Sequence, residues 1–157
     1  MWRRSLTSDI LLFLNKVLRM GQVNTRIKVA NWLDLEKLAL GERTEAPRSA
    51  ETDALVDTGV VRLYLQSSVV KQLGLRPVRK MLSRTMADVS VERTVYSPVD
   101  LEIQGRSGTF EVVEVPDSLP NIVGQIPLEQ LDWIVDPPNR RLIPNPAHKH
   151  GEMCDDF

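Results

Sequence analysis

What most limits this chain is the shortness and period of its apolar runs. Over residues 22–29 polar and apolar side chains alternate, with Val23, Thr25, Ile27 and Val29 on one face and Asn24, Arg26 and Lys28 on the other. A period of two marks a half-buried strand, because successive side chains of an extended backbone point to opposite faces. Further short strands are predicted at residues 54–56, 60–65, 80–86, 90–96, 98–104 and 109–115, with a final pair around Ile134-Val135 and Leu142-Ile143. Turns are expected at residues 105–108 and 137–139, where Gly, Pro and Asn collect. Brief helical stretches read at residues 33–40, at 67–74 with a serine cap and a glycine stop, and at 128–131. The polar run GERTEAPRSAET between residues 41 and 52 reads as a surface connection. Strands in close succession with one or two short helices predict a mainly β, barrel-like domain rather than βαβ layers.

With 157 residues, 42% of them hydrophobic and 26% charged, the chain can bury one core and is expected to form a single domain. Twenty basic residues against 21 acidic ones leave a net charge of −1, so no global field draws nucleic acid or an anionic membrane. Partners must be recognised by shape and local contact. The single cysteine, Cys154, allows no internal disulfide, and a reducing, cytoplasmic setting is expected. No stretch reaches bilayer-spanning length, and the apolar patch over residues 10–14 is too short for a secretion signal. Leu11, Leu12, Leu14, Val17 and Leu18 would share one face of a helix over residues 8–19. Alternatively this extension precedes the true start, and a chain opening at Met20 would fit a loose myristoylation pattern. The organisation read from these features is an N-terminal extension over residues 1–20, a domain over 21–147, and a mobile tail over 148–157.

Asp57-Thr58-Gly59 is the first candidate for chemistry. Alone it is weak: a turn in which Asp caps the backbone and Gly accepts a positive φ has the same sequence. Its placement is more telling, because the apolar run Ala54-Leu55-Val56 ends directly in the aspartate, a second apolar run follows, and a helix comes next. A second element, Asn121-Ile122-Val123-Gly124, follows a Pro-containing bend and precedes a short helix.

In order, ALVDTG, VVKQLGL, MADVS and NIVGQIPLEQLDWIVDPPNRRLIPNP resemble the retropepsin-like aspartic proteases, above all the small prokaryotic single-domain members. The resemblance covers about residues 21–146. It implies the acid protease fold, a closed β-barrel contributing one lobe per chain, and an aspartic endopeptidase acting on peptide or protein substrates. Asp57 would be the catalytic carboxylate, Thr58 would hydrogen-bond across a two-fold axis, and Gly59 would let two backbones approach. Ile122, Val123 and Gly124 would pack under the catalytic loop. The hairpin over residues 81–96, with Ala87, Asp88 and Val89 at its tip, would be a flap closing over bound peptide. One Asp-Thr-Gly per chain implies a homodimer, since the chemistry needs two carboxylates. Two facing aspartates cannot both ionise cheaply and share a proton, as aspartic proteases illustrate. The charged member activates water and the neutral member polarises the scissile carbonyl, with no metal or cofactor.

This sequence departs from the family pattern at three places. Val60 and Val61 stand where a small residue and then Thr or Ser are usual, and Val89 stands where the flap usually has Gly, a residue tolerant of positive φ. The departures motivate an alternative, a catalytically degenerate homodimer that binds peptides without cutting them. Other constellations fare worse. His148, His150, Glu152 and Cys154 fit no zinc spacing, and no Gly-x-Ser-x-Gly elbow accompanies the two histidines. Arg79, Lys80 and Arg84 read as a solvated face, and Trp32 and Trp133 as core or interface aromatics.

Overall fold

The computed structural model describes residues 22–85 and 87–148. The expected helix over 8–19, the Met20 pattern, Met86, and the tail residues His150, Glu152 and Cys154 lie outside the described residues. The described chain runs β1 (Val23–Asn31), α1 (Trp32–Ala39), β2 (Ser49–Val56), β3 (Leu63–Gln66), α2 (Ser67–Gln72), β4 (Pro77–Arg84), β5 (Ser90–Ile103), β6 (Arg106–Val115), β7 (Ile122–Val123), α3 (Gln125–Gln130), β8 (Trp133–Asp136) and β9 (Arg141–Pro144). It is mainly β, as its short apolar runs predict.

Seven strands form one mixed sheet in the order β1-β2-β7-β3-β6-β5-β4, and β1 also pairs with β5, while β8 and β9 form a separate ribbon. β1 therefore has a partner on both edges: Lys28 faces Glu51 of β2 on one side and Glu102 of β5 on the other. The alternation of β1 is realised as expected. Val23, Thr25, Ile27 and Val29 are buried, and Asn24, Arg26 and Lys28 are exposed. Ile27, Leu63, Leu65, Leu101 and Ile103 pack in one apolar cluster with Leu73 and Leu131, all of them sealed from solvent. Each such side chain contributes about 1.5–3 kcal/mol through burial.

Buried polar contacts fix the ends of α1 and α2. Asn31 caps α1 by accepting from the Asp34 backbone N–H at 3.2 Å, and its Nδ2 donates to the Leu73 carbonyl at 3.0 Å. Asp34 is buried and takes three bonds from Arg48, through the backbone N–H, Nε and Nη2. The Arg48 guanidinium lies against Gly74, the glycine stop after α2, where a β-carbon would collide with it. Gly74 has φ +59°, the left-handed conformation that ends a helix.

Several elements differ from the sequence expectation, each for a tertiary reason. β2 begins at Ser49, inside the run read as a loop, because residues 49–56 pair along the whole length of β1. β3 begins at Leu63 rather than Val60, since the carbonyls of Val60, Val61 and Arg62 accept from Gln125, Ile126 and Gly124 instead of from a strand. The serine cap of α2 is not used: Gln66 occupies the cap without a side-chain bond, Ser67 Oγ donates to the Val115 carbonyl, and Asp117 accepts from the Ser68 N–H. The strands expected at 90–96 and 98–104 are one strand, β5, whose register against β6 shifts between Tyr96 and Val99. Pro98, with no N–H to donate, lies in that irregularity. The turn after β5 is tighter than expected, with Gln104 and Gly105 at φ +49° and +88° and Gly108 already in β6. α3 begins at Gln125, three residues before the predicted start.

Candidate active site

β7 is inserted between the strands on either side of the Asp57-Thr58-Gly59 loop. It lies parallel to β2, with Leu55 beside Ile122 and Val56 beside Val123, and antiparallel to β3, with Leu63 beside Val123. Because β2 and β7 run the same way, they end at the same edge, so Asp57 follows Val56 where Gly124 follows Val123. The Asp57 N–H donates to the Val123 carbonyl at 3.1 Å, which extends the ladder to the acidic residue itself. The structure thus brings Asp57 into direct backbone contact with Val123, more than 60 positions away in sequence, and sets Gly124 against Val60 and Arg62 of the segment that follows the aspartate.

Gly124 is the closest point of this arrangement. A β-carbon there would stand 2.4 Å from the Arg62 carbonyl oxygen, 2.7 Å from that of Val60 and 2.8 Å from the Arg62 nitrogen. These are backbone atoms that no rotamer change can remove. The Gly124 N–H donates to the Arg62 carbonyl at 2.9 Å, Gln125 N–H to Val60 at 2.8 Å and Ile126 N–H to Val61 at 3.0 Å. Three consecutive donors at the start of α3, where a short helix has no internal acceptors, therefore hold the segment leaving the Asp57 loop.

Within the loop, the Gly59 N–H donates to Asp57 Oδ1 at 2.8 Å, and the Val60 N–H donates to the Asp57 carbonyl at 3.3 Å. The first bond sets the orientation of the carboxylate. A side chain at Gly59 would press on it, since a β-carbon would lie 3.1 Å from the same oxygen. Asp57 is half-buried, Thr58 and Gly59 are exposed, and Val60 is half-buried. The carboxylate is therefore fixed by backbone bonds and still open to solvent. Val61 is exposed, at 53%.

Asn121 supports the loop from below. It is buried; its Oδ1 accepts from the Gln66 N–H at 2.8 Å, and its Nδ2 donates to the Asp53 carbonyl at 3.2 Å and reaches Thr52 Oγ1 at 3.4 Å. One amide thus joins β2, the end of β3 and the segment entering β7.

The hairpin of β4 and β5 carries the expected flap residues away from the loop in sequence but on the same sheet. Ala87, Asp88 and Val89 are all exposed at its tip. The positive φ falls on Asp88, at +58°, and not on Val89. Aspartate tolerates this region better than a β-branched residue, so the valine at 89 does not strain the turn. The Thr85 N–H donates to the Val89 carbonyl at 2.9 Å and closes the hairpin. At its root, both oxygens of Glu111 are taken by the two terminal nitrogens of Arg79. That pairing, with a smaller contribution from Arg62, holds the Glu111 carboxyl below its usual range.

A cavity of about 490 Å³ opens at the Thr58 end of the loop, lined also by α3, β8 and His148. Its wall holds a polar cluster that the sequence reading did not find. Asp132 is buried with φ +59°; its carboxylate accepts from Asn145 Nδ2 at 3.0 Å and lies 2.6 Å from His148 Nδ1, and its carbonyl accepts from Arg106 Nη1 at 2.8 Å. The Arg106 guanidinium stacks 4.4 Å from the centre of the Trp133 ring. His148, assigned from the sequence to a mobile tail, is held by this cluster. Its members are 13 to 26 positions from Asp132 in sequence, so no local pattern announces them. Trp133 is buried, as expected, and Trp32 is exposed at 37%.

Among the described residues, no group of three or more His, Cys, Asp or Glu side chains is placed to hold a metal ion. Likewise, no helix among them is long and apolar enough to cross a membrane. No protein-family model matches the chain, and no curated protein shows significant similarity to it.

Proposed function

We propose that the chain is a retropepsin-like aspartic endopeptidase whose active site forms between two copies, each contributing Asp57. In this reading the pairing of β1 with both β2 and β5 is the closure of a β-barrel lobe, and the β4–β5 hairpin is the flap over the cleft. The observation that carries the reading is the insertion of β7 beside the Asp57 loop. The Asp57 N–H bonds to Val123, and Gly124 approaches Arg62 too closely for any other residue. A plain turn would not need such support. A loop that must hold a carboxylate steady, exposed and free of a local ion pair does.

In the dimer, the two Asp57 side chains would face one water. The ionised member accepts a proton from that water as it attacks the scissile carbonyl, and the protonated member donates a hydrogen bond to the carbonyl oxygen as negative charge develops there. Peptide and protein chains in the cytoplasm are the expected substrates. Purified protein should cleave an unstructured substrate such as denatured casein at mildly acid pH, and pepstatin should inhibit it. Asp57→Asn keeps an acceptor for the Gly59 N–H, so it should abolish cleavage while leaving the far-ultraviolet circular dichroism unchanged. Equal cleavage by the variant would reject the reading.

A second reading, a dimer that binds peptides without cutting them, is favoured by one observation. Val61 presents an exposed methyl surface, with no hydroxyl, on the segment leaving the catalytic loop. Peptide binding without any Asp57-dependent turnover would support it.

A further inference from the structure

The loop carrying Asp57 crosses the first turn of α3, and a cavity lies at each of its ends: one beside Thr58 and Gln125, the other, of about 290 Å³, beside Arg62 and Ile126. The second cavity has an apolar floor that includes Leu63, Phe110 and Pro127. Two charged residues line it, Arg62 and Glu111. Both oxygens of Glu111 are already bonded to Arg79 from the root of the β4–β5 hairpin. Arg62 makes no side-chain hydrogen bond or ion pair among the described residues. Arg79 thus takes both hydrogen-bonding oxygens of Glu111, and Arg62 acts on that carboxylate only through the weaker, through-space attraction; the guanidinium donors of Arg62 remain available to a ligand.

The position of Arg62 is as rigidly set as that of Asp57. Its carbonyl accepts from Gly124, whose neighbour Val123 accepts from the Asp57 N–H, and its backbone cannot move past Gly124 without a clash. Arg62 is half-buried and lines the same cavity as Leu63, Phe110 and Pro127. A guanidinium in that condition favours a carboxylate, which it can bind with two parallel bonds.

We propose that Arg62 is a specificity-determining residue: the cavity it lines receives an acidic side chain, glutamate or aspartate, of a peptide bound across the Asp57 loop. This rests on the endopeptidase reading for the location of the peptide, and it adds the chemical class of the sequence selected. The apolar floor accommodates the methylene stem, and Arg62 meets the carboxylate. Glutamine offers the same stem with no charge, and lysine meets repulsion.

The test uses randomised decapeptide pools in which one position at a time is fixed as Glu, Gln or Lys. Cleavage by the purified wild-type protein is read by mass spectrometry, and binding of the fluorescein-labelled pools is read by anisotropy with the Asp57→Asn protein, so that recognition is measured apart from turnover. At one position relative to the scissile bond, Glu should be preferred over Gln by about tenfold, the size expected of a charge-assisted hydrogen bond. Arg62→Gln should remove that preference, and Arg62→Glu should transfer it to Lys. Each variant is first checked for an unchanged thermal midpoint; where one fails that check, Arg62→Lys, which keeps the charge without the fork, should retain only part of the preference. No Glu preference in binding, or the same preference in wild type and Arg62→Gln, overturns the role of Arg62 even if Asp57-dependent cleavage is present. Selective binding of the Glu pool without cleavage upholds it and rejects the endopeptidase reading instead.

Discussion

Gly124 and Arg62 are in backbone contact: the N–H of one donates to the carbonyl of the other at 2.9 Å, and a β-carbon on Gly124 would stand 2.4 Å from that same oxygen. Because Arg62 closes the segment that begins at Asp57, this contact fixes the distance between the catalytic candidate and the strand beneath it. Gly124→Ala must therefore push the two segments apart. Overpacking of this kind costs about 1–3 kcal/mol. The urea midpoint should fall with an unchanged slope, and cleavage should fall more than the folded fraction does, since the displaced backbone carries the loop. An unaltered midpoint would show that the two backbones have room for a β-carbon between them.

Asn121 offers a test of the support below the loop. Asn121→Ala leaves the Gln66 N–H and the Asp53 carbonyl without their buried partner. An unsatisfied buried group costs about 1–3 kcal/mol, and that loss should appear in the chemical denaturation of the variant. If Asn121→Ala is as stable as wild type, the amide is not the link between β2 and β3 that its bonds suggest.

Much of this was legible in the sequence where the signal is local. The period of β1, the glycine stop at Gly74, and the apolar runs that became β2, β6, β8 and β9 are each set by neighbours a few residues away. The Asp57-Thr58-Gly59 and Ile122-Val123-Gly124 elements could be picked out, because an apolar strand ending in a fixed residue type is a short-range pattern. What sequence could not give is which long-range partner wins. The cap of α2 comes from Asp117, 49 positions away, rather than from the adjacent serine. Residues 60–62 look like strand and are drawn instead to the start of α3. Asp132, His148 and Arg106 form a cluster whose members carry no shared spacing.

Acid stability should depend measurably on Asp34. Hydrogen bonds from Arg48 lower its pKa from 3.8 to about 2 against the opposing effect of burial. A carboxyl depressed in the folded state contributes stability that is complete above its unfolded pKa and is lost as pH falls through the folded value. The window is therefore about pH 4 down to pH 2, and the contribution is about 2 kcal/mol. Wild type should lose that much more stability between pH 5 and pH 2 than Asp34→Asn, which cannot titrate. Parallel losses in the two proteins would mean that Arg48 does not hold the carboxylate as its three bonds indicate.

Val61 separates the enzyme from its non-cutting alternative. It is 53% exposed, and its carbonyl, not its side chain, makes the bond to Ile126. Val61→Thr therefore removes little buried surface, and its effect on stability should stay within about 0.5 kcal/mol. What it adds is a hydroxyl on the segment that leaves the Asp57 loop, a donor and acceptor where wild type has only a methyl group. If the loop works as a catalytic scaffold, an added hydrogen bond there should raise kcat, and the gain should vanish in the double variant with Asp57→Asn. If the chain only binds peptides, Val61→Thr can alter affinity and no turnover will emerge. A stable Val61→Thr protein that still shows no cleavage, in the same assay where it binds the peptide pool, would decide for the alternative.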